Sequence, residues 1–126
     1  MRKMFSFLPF LSAFSGAGAS DGAGFTQISP MKAKSMMDED HIIVLDVREA
    51  NEYNEGHIPD ATLFPLRTIN KASVEEVIPS KDSVVLLYCC SGARSRQAAK
   101  RLVKLGYTHV YDFGGLNDWP YAVIKD

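Results

Sequence analysis

Cys89 and Cys90 stand side by side in "YCCSGARS", directly after the apolar run "VVLLY" and directly before a helix-like pattern. A cysteine at such a junction can do covalent chemistry, because the thiolate is the nucleophilic form and these surroundings favour an anion. In a strand–loop–helix turn, the backbone N–H groups of Cys90, Ser91, Gly92, Ala93 and Arg94 can curl into a nest around the Cys89 sulfur. The positive end of the following helix points at the same spot. Gly92 permits the positive φ of a tight loop. Arg94 adds a fixed charge at the rim or braces the loop, and Ser95 opens the helix. Read alone, the pair fits two small buried hydrophobes equally well. The ordered series of strand, Cys, Gly, Arg, Ser and helix favours the reactive reading.

Such a loop needs elements to hold it. From Phe25 onward, turn signals and apolar runs alternate. "FTQI" is a short strand candidate, and Ser29-Pro30 reads as N-cap and first-turn proline of a helix to about Met37. "HIIVLDV" (residues 41–47) and "SVVLLY" (83–88) are near-continuous apolar runs, the mark of strands covered on both faces. Between them come a short helix in "EANEY" stopped by Gly56, a strand in "ATLFPL", and a helix in "SVEEVI" with Ser73 and Glu76 at capping-box spacing. Residues 95–105 give the strongest helix: Ala98, Leu102 and Leu105 share one face, Arg96, Lys100 and Lys104 lie opposite, and Gly106 stops it. "HVYDF" is a last strand, and "GGLNDWP" a closing turn. Strands alternating with helices imply an α/β domain with a mainly parallel sheet. Sites in such sheets form beyond the carboxyl ends of the strands, which singles out residues 46–49 and 89–94.

The chain has 126 residues, one domain's worth, with 46% hydrophobic and 23% charged residues. A formal net charge of -1 gives no reason to expect nucleic acid as a partner. Two adjacent cysteines make no disulfide framework, and His41, His57 and His109 are scattered, so neither a metal nor a cofactor is expected. Residues 1–24 differ from the rest: Arg2 and Lys3, an apolar run from Met4 to Phe14, then small residues. This stretch reads as a tail ahead of a domain spanning 25–126, in a cytoplasmic protein whose thiol stays reduced. Its layout also fits a cleaved secretory signal, which would make the protein exported or periplasmic.

"YCCSGARS" resembles the active-site loop of the rhodanese (sulfurtransferase) homology family, Cys-x-x-Gly-x-Arg-Ser. "LDVREANEYNEGHIPDA" resembles the family's Asp-Val-Arg-x-x-x-Glu-[Tyr/Phe]-x-x-Gly-His-Ile segment, and "FGGLNDW" its closing Gly-Gly-x-x-x-Trp. The three motifs stand in family order from about Ile28 to Trp119. The resemblance implies a five-stranded parallel sheet flanked by helices on both faces. It also implies that Cys89 takes sulfur from thiosulfate or a persulfide donor, becomes a persulfide, and passes the sulfur to a thiol or protein acceptor. A monomer is expected. The alternative is a module that binds or carries persulfide without turnover. Related dual-specificity phosphatases carry one more residue between Cys and Arg; the shorter span from Cys89 to Arg94 suits a single sulfur better than a phosphate.

Two departures bear on the substrate. Cys90 and Ser91 stand where the family often has basic or polar residues, leaving Arg94 as the loop's cation and weakening the case for thiosulfate over a persulfide. Cys90 reads as an inert neighbour, because a bond between adjacent cysteines needs a strained ring. Asp60 replaces a usual Gly in a turn that Asp tolerates. Asp46, Arg48 and Glu52 are expected to form ion pairs that hold the turn after the first buried strand, with bracing of Arg94 a further role. His57 reads as a hydrogen-bonded turn residue and Trp119 as a core anchor.

Overall fold

The computed structural model describes residues 19–20, 24–39 and 41–125. Most of the N-terminal stretch read as a tail or signal therefore lies outside the described residues. Among the described residues, no helix is long and apolar enough to cross a membrane.

Among the described residues, six strands form one sheet: β1 (Ala19–Ser20), β2 (Thr26–Gln27), β3 (Ile42–Asp46), β4 (Thr62–Leu63), β5 (Val84–Cys89) and β6 (His109–Gly115), in the order β1-β2-β6-β5-β3-β4. The five from β2 to β4 run parallel, as expected. Two residues ahead of Phe25 add an antiparallel edge strand, Ala19 opposite Gln27 and Ser20 opposite Thr26. Among the described residues, four α-helices complete the fold: α1 (Pro30–Met37), α2 (Ala50–Glu55), α3 (Lys71–Val77) and α4 (Ala93–Lys104).

Period-two alternation sorts the central strands onto two faces. Leu45, Val85, Leu87, Cys89 and Val110 face the side covered by Val74 of α3 and Ala98, Ala99 and Leu102 of α4. Val44, Leu86, Tyr88, Tyr111 and Phe113 face the side covered by Ala33 and Met36 of α1, together with Ile58 and Trp119. Fully burying a leucine such as Leu45, Leu86 or Leu102 contributes about 1.5–3 kcal/mol, so these two layers fix where the strands end.

Local signals set the helix starts, with two differences from expectation. Ser29 Oγ accepts the Lys32 N–H at 3.0 Å, and Pro30 opens α1 as anticipated. In α3 the N-cap is Asn70 rather than Ser73: Asn70 Oδ1 accepts the Ser73 N–H at 2.9 Å, and Ser73 Oγ accepts the Asn70 N–H at 3.0 Å. α4 begins at Ala93, with Gly92 at φ +109° as its cap, so Ser95 lies inside the first turn.

Candidate active site

β5 and α4 position Cys89. The strand delivers it to the sheet edge, buried at 1% exposure, on the face that α4 covers. The chain reverses through Gly92, whose left-handed backbone turns its N–H onto the Cys89 Sγ at 3.0 Å. Among the described residues this is the one backbone donor to the sulfur, so the expected nest of five amides narrows to one on the resting thiol. The N–H groups of Ala93, Arg94 and Ser95 belong to the first turn of a 12-residue helix, where no intrahelical carbonyl reaches them. They add the helix's positive end to the same region.

The loop's shape depends on a second glycine that sequence reasoning left unassigned. A Cβ on Gly115 would lie 2.0 Å from the Cys90 carbonyl oxygen and 2.7 Å from Ser91 Cα. The loop therefore lies directly on β6. An irregularity in strand pairing makes room for it: Leu87 pairs with Asp112 but Cys89 with Gly115, so β6 carries one extra residue.

Ser95 turns inward, unlike the exposed Ser91 and Ala93. It is fully buried, and its hydroxyl donates to Asp112 Oδ1 at 2.7 Å; Cys89 Sγ lies 3.7 Å from Ser95 Oγ. Cys90 is half-buried, a free thiol like Cys89, with its Sγ 3.8 Å from Asn117 Oδ1.

Glu52 of α2 braces Arg94 through a two-pronged pair at 2.8 and 2.9 Å. The Arg94 hydrogen bonds draw the Glu52 carboxyl down to about 2, with help from the Glu49 N–H, and Glu52 in turn raises the guanidinium. The Arg94 cation lies within electrostatic reach of both sulfurs.

Asp46 and Arg48 do not join that pair. They form a separate buried group, in which Arg48 donates to Asp46 from Nε at 2.9 Å and from Nη2 at 2.7 Å, and to the Gly56 carbonyl at 2.7 Å. Tyr88, which sequence reasoning passed over, donates its hydroxyl to Asp46 at 2.5 Å and accepts the Ile58 N–H at 3.1 Å. Burial and the Asp46 hydrogen bond push the Tyr88 phenol upward. His57 is the turn residue anticipated, buried, with Nδ1 2.9 Å from the Tyr53 carbonyl and its ring stacked on Tyr53. Asp60 takes φ +71°. Trp119 packs in the core between Phe113 and Tyr121. A cavity of about 350 Å³ opens beside the loop, lined by Arg48, Glu52, Glu55, Gly56, Cys90, Leu116 and Val123.

The Rhodanese-like domain family model matches residues 29–121. The chain belongs to the rhodanese-like domain family. Among curated relatives, this rhodanese-like chain is 38% identical over 81 residues to thiosulfate sulfurtransferase PspE of Escherichia coli, covering 64% of this chain and 77% of that protein. It is 31% identical over 96 residues to thiosulfate sulfurtransferase GlpE of Coxiella burnetii, covering 75% and 87%. A solved structure of a rhodanese with anions from E. coli superposes with a TM-score of 0.63 at 34% identity, over 68% of this chain and 99% of that one.

Proposed function

We propose that this rhodanese-like protein is a sulfurtransferase in which Cys89 is the nucleophile. The Cys89 thiolate attacks the outer sulfur of a donor, forming a Cys89 persulfide and releasing sulfite from thiosulfate, or a thiolate from a persulfide donor. An acceptor thiol or other thiophile then attacks the outer sulfur and regenerates the Cys89 thiolate. Two displacements through a covalent intermediate give ping-pong kinetics. The observation that carries this reading is the Gly92 N–H on the Cys89 sulfur at the head of α4, an arrangement that favours negative charge there.

The Glu52–Arg94 pair favours persulfide donors over thiosulfate, since the loop cation is already matched by a carboxylate. The test incubates wild type and Cys89→Ser with thiosulfate and, separately, with glutathione persulfide, and weighs the intact protein. Wild type gains the mass of one sulfur and the variant gains none. Turnover that persists in Cys89→Ser defeats the reading.

A further inference from the structure

Asp112 is a buried carboxylate that the two displacements leave without a task. It is 2% exposed, on the α4 face of β6, one strand from Cys89. Its Oδ1 accepts the Ser95 hydroxyl at 2.7 Å and the Gly114 N–H at 3.0 Å, which fixes its orientation. Ser95 Oγ also lies 3.2 Å from the Gly92 carbonyl and 3.3 Å from the Gly114 carbonyl, but it has one proton to give. The shortest contact, to a charged acceptor, takes that proton. A lone pair of Ser95 Oγ is then left for the Cys89 thiol at 3.7 Å. With Cys89 and Ser95 both buried, bulk water is a poor acceptor for the thiol proton.

We propose that Asp112 receives the Cys89 proton through Ser95, a positioning residue that prepares the nucleophile. This rests on the reading of Cys89 as the sulfur-accepting thiolate. As the Cys89 S–H bond breaks, its proton joins Ser95 Oγ, and the Ser95 hydroxyl proton passes to Asp112 Oδ1. The bonding pair stays on sulfur, Asp112 becomes the neutral acid, Ser95 is regenerated, and nothing is oxidised or reduced. Among the described residues, the other ionisable groups near the trio are Arg94 on α4, paired with Glu52 of α2, and Cys90 in the loop. β2, which pairs with β6 at Asp112, brings only Thr26 and Gln27. Tyr88 and Tyr111 belong to the opposite core layer, the side covered by α1 with its Lys32 and Lys34.

Asp112→Asn separates proton acceptance from shape, because the amide oxygen still accepts from Ser95 and Gly114 but takes no proton. In a Cys90→Ser background, so that one thiol reports, the rates of Cys89 alkylation by iodoacetamide and of single-turnover sulfur loading are measured from pH 6 to 10, within the range bracketing a free thiol near about 8.5. Asp112→Asn is expected to be slower by about 10²-fold at neutral pH, the lower end of general-base effects, with the gap closing as hydroxide takes over at high pH. Should Asp112→Asn fail to fold by thermal unfolding, Ser95→Ala carries the same pH test. Equal rates at neutral pH, or a deficit that stays constant with pH, overturn the relay. Wild type that loads no sulfur at all overturns the nucleophile reading instead, so the two failures are told apart.

Discussion

The exits of β3 and β5 occupy equivalent places, side by side at the carboxyl edge of a parallel sheet, yet they are finished in opposite ways. After β3, Asp46 and Arg48 satisfy each other, and Tyr88 and the Gly56 carbonyl take up what remains. After β5, the chain buries a thiol with a single backbone donor and opens a helix whose first amides have no partner in the helix. Topology supplies two candidate sites; polar satisfaction decides which one is free to bind. A closed network holds a turn, whereas an unspent set of donors can meet an incoming anion.

Substitutions at the two exits should divide cleanly. Asp46→Asn leaves a buried Arg48 without its counter-charge and is expected to cost about 3–5 kcal/mol in denaturant unfolding. Sulfur loading per folded molecule stays near wild type; a large loss of chemistry with intact stability would erase the distinction between the exits. Gly115→Ala reverses the pattern. Its Cβ would press on the Cys90 carbonyl and shift the loop, so loading falls by about 10²-fold, the scale of an ångström-sized misplacement, while stability falls by about 1–3 kcal/mol. A wild-type loading rate in that variant would show that the loop adjusts without consequence.

The smallest effect belongs to Glu52, which reaches from the β3 exit to the β5 loop. Its carboxyl is held at about 2 in the folded protein against 4.5 ordinarily, a depressed value. The pair therefore stabilises the fold above roughly pH 4.5, and that contribution is lost as pH falls toward 2. Glu52→Gln should be less stable than wild type at neutral pH, with the difference vanishing by about pH 2; a constant difference across that window argues against the pair. Both side chains are partly exposed, so the effect is modest.

Much of this arrangement was legible in the sequence, because apolar runs at residues 41–47 and 83–88 leave few alternatives to buried parallel strands. Cys89, Gly92 and Arg94 stood out because strand, Cys, Gly, Arg, Ser and helix follow in order and resemble the family's active-site loop. What escaped depended on partners distant in the chain. Tyr88 lies 42 residues from Asp46, and its hydroxyl looks like one more core aromatic until the two strands are paired in register. Asp112 sits in "HVYDF", where alternation assigns a face but cannot say that Ser95 waits on it. The α3 start was misplaced because Asn70 and Ser73 cap reciprocally, and either alone reads as the cap. By residue type Ser95 reads as the helix start, yet Gly92 in left-handed backbone caps the helix, and the serine turns inward.

The clamp between Arg94 and Glu52 has a kinetic corollary. Opposite charges locked together at the mouth produce little long-range field, so a charged donor is not drawn in from solution and arrives by unguided collision. Raising the ionic strength then has little to screen, and the efficiency of sulfur loading should hold nearly level across buffers in which an electrostatically steered enzyme would slow down.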